Sequence, residues 1–256
     1  MLAAALYAGG VRRVRRPWPA WRSAAFYAGL FVMLAALSGP VDHLAFELFS
    51  VHMIQHMLLT VVAAPLLLLG APVRPLLLGL PAAVRRAIRP LARSGALRGA
   101  AHALRSPLVA GILYVGGIYY WHFPRLYDAA VEDPLLHSVE HGWFIASALL
   151  FWSVVIDPLP FRSALAYPWR ILFLLLAGAA QNTILGGLLS FSTRVLYPHY
   201  GTSALTYGID PLTDQKTGGA LMWVPGDLVF LGAASACFFL FLREEERTQE
   251  RTERRA

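Results

Sequence analysis

Apolar residues in this chain gather in long blocks instead of alternating with polar ones. Six blocks approach the roughly 20 helical residues that cross a hydrocarbon core. They lie near Trp21–Ser38, Leu44–Leu69, Pro107–His122, Pro134–Ile156, Trp169–Phe191 and Gly218–Leu242. Inside lipid every backbone N–H and C=O must be satisfied within its own segment, so blocks of this length predict helices. The period-two pattern of a membrane barrel does not occur in the sequence. The expected fold is all-α: a polytopic membrane helix bundle of six full transmembrane helices, with residues 1–256 forming a single integral membrane domain.

Three segments outside the blocks carry their own expectations. Met1–Gly10 (MLAAALYAGG) is a short N-terminal apolar segment that reaches only about 15 Å as a helix, too short to span. Arginines follow it instead of preceding it, unlike a signal peptide. It is expected to be either an interfacial segment or a truncated seventh helix, the second outcome arising if the start codon were placed too far downstream. Residues 71–106 mix prolines with spaced leucines and arginines. They read as a basic amphipathic loop on the cytoplasmic face, opposite anionic lipid. Residues 243–256 are polar throughout and are expected to be a solvated, partly disordered cytoplasmic tail.

Composition agrees with a chain embedded in the lipid bilayer: 57% hydrophobic residues, 14% charged, and a mean hydropathy of +0.54. A net charge of +7 would suit nucleic acid, but its distribution excludes that reading. Arg12, Arg13, Arg15, Arg16 and Arg22 precede the first block, and Arg74, Arg85, Arg86, Arg89, Arg93, Arg98 and Arg105 follow the second. Arg162 and Arg170 follow the fourth, and Arg243, Arg247, Arg251, Arg254 and Arg255 lie in the tail. The other side carries Arg125, Arg194 and Lys216 against Asp42, Asp128, Glu132, Asp133, Asp210 and Asp214. Such bias puts both termini in the cytoplasm. Cys237 is the one cysteine, which excludes an intrachain disulfide and a thiolate cluster.

The chemistry-bearing pattern is two histidine pairs at helical spacing, His52/His56 and His137/His141. An i,i+4 pair shares one helix face, with side chains about 5–6 Å apart. Ionisable groups inside a span are rare and face a partner, a cavity or an ion. Under the expected orientation His122, at the end of the third block, falls on the same outer side, as do His43 and His199; only His102 lies in the inner loop. Met53 and Met57 follow the two second-block histidines and, with Met222, offer thioethers that suit Cu(I). Each could equally pack against a neighbouring helix. Glu140 could orient an imidazole or neutralise a cation, and Asp214 could cap the sixth helix or join the site. The candidate metal ligands are therefore His52, His56, His122, His137 and His141, with Met53, Met57, Glu140, Asp214 and Met222 as additional or supporting groups. No Gly-rich phosphate loop, HExxH helix or GxSxG elbow is present, so no enzymatic activity is expected.

Four segments carry a family resemblance: FSVHMIQHMLLTVVAAPLLLLGAP (Phe49–Pro72), WHFPRLYDAA (Trp121–Ala130), LLHSVEHGWFIASALLFW (Leu135–Trp152) and DQKTGGALMWVPG (Asp214–Gly226). Together they make the chain resemble the CtaG family of caa-type cytochrome c oxidase assembly factors. The resemblance implies maturation of a haem–copper oxidase through copper delivery, with oxidase subunits or other assembly factors as partners. It also implies seven spans, one more than the blocks supply. Two readings from the residues stay open beside it: a haem-binding membrane redox protein with bis-histidine ligation, and a scaffold whose histidines only tie helices together.

Overall fold

The computed structural model describes residues 1–158 and 163–254. Among these there are helices and no strand: α1 (Leu2–Val11), α2 (Ala20–Ala36), α3 (Pro40–Ala45), α4 (Phe49–Leu69), α5 (Val73–Gly79), α6 (Ala82–Arg93) and α7 (Gly95–Leu104). They continue as α8 (Pro107–Trp121), α9 (Pro124–Glu132), α10 (Pro134–Val155), α11 (Tyr167–Ser190), α12 (Tyr200–Thr206) and α13 (Pro211–Glu253). Arg162 and Arg255, counted above with the inner-side arginines, lie outside the described residues.

Among the described residues, α4, α10, α11 and α13 are long and apolar enough to cross a membrane; the count becomes five if α7 and α8, bent by 59° at their junction, form one span. The expected six is therefore not reached. Two of the six blocks fall on shorter helices, α2 with 17 residues and α8 with 15. Each helix ends within two residues of its block, so the blocks themselves were short, and turn residues bound them. Gly39 takes φ 73° and Pro40 opens α3, while Pro107 and Pro124 sit at helix starts on either side of α8. A residue preceding proline is driven out of the helical region, so the chain breaks there.

The three segments outside the blocks are helical as well. Residues 71–106, read above as an amphipathic loop, hold the three helices α5, α6 and α7. The N-terminal segment docks as α1 against α5, where a methyl at Gly10 would overlap the Pro75 carbonyl and one at Gly79 the Leu6 carbonyl. Such contacts need hydrogen in place of Cβ. Tyr7 locks this corner, stacking on Phe26 at 3.9 Å and donating to the Gly70 carbonyl at 2.8 Å. The tail is helical through Glu253, its arginines and glutamates exposed along a continuous α13. Glu, Arg and Gln are good helix formers, and neither Gly nor Pro interrupts the run.

Irregular turns shape the interior, among them a π-helical stretch at Leu174–Ala180 in α11. In α4, residues Leu58–Ala63 widen into π-helix immediately before Pro65. Proline has no N–H and its ring crowds the preceding turn, so a widened turn relieves the clash. The Trp152 indole donates to the Thr60 carbonyl at 2.9 Å within this stretch. In α13, Pro225 lies inside the helix, and Asn182 of α11 donates to the Met222 carbonyl at 2.7 Å. The helices α4, α10, α11 and α13 pack around one core, with α2 on α4 and α8 on α10.

Candidate metal centre

One end of this bundle is roofed by α3, α9 and α12, and beneath it lie His52 and His56 on α4, His137, Glu140 and His141 on α10, and His122 at the end of α8. Their placement begins with helix starts. Asp133 caps α10, accepting from Leu135 and Leu136 N–H at 2.8 and 3.0 Å, four residues before His137. The start of α4 has no cap of its own. Asp214 supplies it from α13, its carboxylate accepting from Phe49 N–H at 2.6 Å and Ser50 N–H at 3.2 Å. A carboxylate at a helix N-terminus satisfies orphan donors and opposes the dipole. Asp214 is thus a fastener between helices, and its oxygens are committed to backbone.

Every candidate imidazole is buried: His52 is 0% exposed and His141, the most open, 8%. The rings of His137 and His141 lie 4.2 Å apart between centroids, His52 and His137 5.2 Å, His56 and His141 5.4 Å. Two groups can converge on an ion, His52/His137/His141 and His52/His56/Glu140, the ligand atoms within each lying within 4.8 Å of one another. Three atoms so spaced have a common point about 2.8 Å away or less. A metal–imidazole bond of 2.0–2.1 Å then needs each ring to move in by under about 1 Å.

The hydrogen bonds say where the imidazole protons sit. Tyr200 Oη gives its proton to the Ala45 carbonyl at 3.0 Å, so toward His52 it accepts. His52 Nδ1 lies 2.7 Å from Tyr200 Oη and 2.8 Å from Tyr127 Oη, and the two phenols are 3.1 Å apart. The assignment that satisfies all of them puts the proton on Nδ1 and the lone pair on Nε2. Burial raises both phenols well above their ordinary pKa, which keeps them neutral hydroxyls. His52 Nε2 then faces His56 Nε2 at 2.8 Å as acceptor. His122 Nδ1 donates to the Ile118 carbonyl at 2.8 Å, which likewise fixes its lone pair on Nε2.

What remains unpartnered is informative. The Nε2 atoms of His122, His137 and His141, Nδ1 of His56 and both oxygens of Glu140 are buried with no hydrogen-bond partner. Glu140 is 0% exposed, and its nearest cationic candidate is His56 Nε2 at 3.9 Å. A buried carboxylate without donors is costly, and a cation held by neighbouring imidazoles would neutralise it. The donor set fits a metal ion: His137 and His141, each with an unpartnered Nε2, converge with His52, whose Nε2 meets only His56, and an ion there would replace that one hydrogen bond.

The five histidines do not all meet. His122 belongs to neither convergent group; with His56 it lines a cavity of about 20 Å³ beside Met53, Met57 and Met222. His43 is exposed, and His199 is half-buried with Nε2 3.1 Å from the Phe46 carbonyl. Sequence reasoning missed Tyr127, Tyr200 and Gln55. Gln55, fully buried, donates to the Ala36 carbonyl and to Asp42 at 2.8 and 2.9 Å, tying α4 to α2 and α3. Its position beside His56 in HMIQHM was a usable signal; the tyrosines gave none.

A family model described as cytochrome c oxidase caa3 assembly factor (Caa3_CtaG) matches residues 5–244. Among curated proteins, uncharacterized proteins of Mycobacterium bovis and Mycobacterium tuberculosis are each 30% identical over 261 residues, covering 98% of this chain and 39% of the relative. One of Mycobacterium leprae is 30% identical over 263 residues with the same coverage. The chain thus spans about two fifths of the length of these relatives. No solved structure matches.

Proposed function

The chain belongs to the cytochrome c oxidase caa3 assembly factor family, and from that premise we propose that it binds copper and hands it on during maturation of a haem–copper oxidase. The observation that carries this reading is the convergence of His52, His137 and His141 within 4.8 Å, with two of the three Nε2 atoms lacking any partner. Copper is cargo here, not a resident catalyst, and the role is non-catalytic. Imidazole and carboxylate would hold the ion, and Glu140 would offset its charge.

The arginine distribution supports an orientation in which both termini are cytoplasmic and the histidine end faces outward. Copper would then enter and leave on the outer side, where oxidase subunits or other assembly factors would dock. Haem is the second reading. Against it stand ring centroids 4.2–6.2 Å apart and a neighbouring cavity of only about 20 Å³, spacing that suits an ion and not a macrocycle between the rings.

The test is metal analysis with an absorption spectrum on protein purified from its native membrane and reloaded with Cu(I) under reducing conditions. Copper should co-purify or load, and His52→Ala with His141→Ala should strip the imidazole-bound ion. Unchanged copper content in that double variant overturns the site. A Soret band would transfer the histidines to haem.

A further inference from the structure

Beside the imidazole centre lies a feature that the proposed function does not use. The cavity of about 20 Å³ is lined by Met53 and Met57 from α4, Met222 from α13, His122 from the end of α8, and His56. Its volume admits about one water-sized occupant. Met53 and Met222 are 1% and 5% exposed. Methionine in a core usually packs as a plain apolar residue, and three of them would need no explanation alone. The two imidazoles change that. His122, 5% exposed, has its proton committed to the Ile118 carbonyl, which leaves a lone pair on its unpartnered Nε2; Thr60 and Asn182, the other small polar residues of the wall, already donate to the His56 and Met222 carbonyls. His56 also lines the cavity. With His56 donating from Nε2 to His52, its buried and unpartnered Nδ1 is a second lone pair.

Two imidazoles with unpartnered nitrogens and three thioether side chains lining a single-atom space supply the donor types for a soft monovalent cation. Thioether with imidazole selects Cu(I) over Zn(II), Mg(II) or Ca(II), whose preferences run to harder donors. A water molecule would use the nitrogens and leave the sulfurs idle.

We propose that this chain carries a second copper site, specific for Cu(I), built from Met53, Met57, Met222 and His122 and separate from the His52/His137/His141 centre. His56 stands between the two, with Nε2 2.8 Å from His52 and its ring 6.0 Å from that of His122. The inference rests on the copper reading above.

The experiment is an anaerobic Cu(I) titration of the purified full chain against a chromophoric Cu(I) chelator, followed by copper K-edge X-ray absorption. The wild type should bind a second equivalent and show a sulfur shell. Met53→Leu/Met57→Leu/Met222→Leu should lose that equivalent and the sulfur shell, keeping the nitrogen-only copper. His122→Gln, a single change of similar size, should weaken the same equivalent if the triple variant fails to fold. His52→Ala/His141→Ala should show the converse loss. Copper with no sulfur scattering, unaffected by the methionine changes, overturns the second site and leaves the imidazole centre standing. Loss of all copper in both variant sets means one mixed site, which also overturns it. A wild type that binds no copper overturns this proposal and the proposed function together.

Discussion

Replacing Tyr200 by phenylalanine removes the hydroxyl that stands 2.7 Å from His52 Nδ1 and 3.0 Å from the Ala45 carbonyl, with little change in buried volume. Its consequence for copper follows from proton placement. While Nδ1–H has an acceptor, the lone pair stays on Nε2, on the side where His56 lies and toward which the ion would bind. Loss of an oriented partner behind a ligating histidine costs about 10–100-fold in metal affinity, or about 1.4–2.7 kcal/mol. Tyr127 Oη remains 2.8 Å from the same nitrogen and can take over part of the task. Tyr200→Phe alone should therefore weaken Cu(I) binding by no more than about tenfold, and Tyr127→Phe/Tyr200→Phe by about 100-fold. The two effects should be coupled, as expected for groups sharing one partner. Competitive titration with a chromophoric chelator at fixed pH reads both. A double variant with wild-type affinity refutes the tautomer argument, and so does a single variant as weak as the double.

Three further outcomes follow from other contacts. Asp214→Ala leaves Phe49 and Ser50 N–H without their acceptor, so melting in detergent should show a loss of about 1–2 kcal/mol; Asp214→Asn should recover part of it, and an unchanged melt would mean the cap contributes nothing. Gly79→Leu collides with the Leu6 carbonyl and should release α1 from α5, seen as faster proteolysis of the N-terminal segment, with copper content untouched; equal cleavage rates would contradict the docking. Copper retention should fall, and not rise, on acidification, because protons compete with the metal for the imidazole lone pairs; metal content followed down a series of falling pH, well past the mildly acidic range, checks the sign.

Long apolar runs announced α4, α10, α11 and α13, because a membrane span is a local property of composition and length. The i,i+4 histidines were legible for the same reason: a shared helix face needs only spacing. The bounds of α2 and α8 were legible to within two residues, but helices of 17 and 15 residues fall short of the roughly 20 that the span count assumed. His122 was placed correctly at the histidine end, but its neighbours in the fold are methionines on two other helices, which spacing does not encode. The Tyr200–His52 contact closes over 148 residues and the Asp214–Phe49 contact over 165. Pairings of that separation are decided by how whole helices pack, so neither tyrosine stood out in the chain. The helical tail went unseen because polar composition alone was weighed, without its lack of helix breakers.

The depth at which the five imidazoles sit also sets a clock. None is more than 8% exposed, so under the proposed copper reading a chelator in solution would meet the ion only when α3, α9 or α12 parts from its neighbours. Exchange in the isolated protein then proceeds at the frequency of that local opening, independent of chelator concentration once capture is fast. A docking partner that pries the same helices apart would speed release without altering equilibrium affinity for the closed form, which makes transfer a matter of timing as much as of ligand strength.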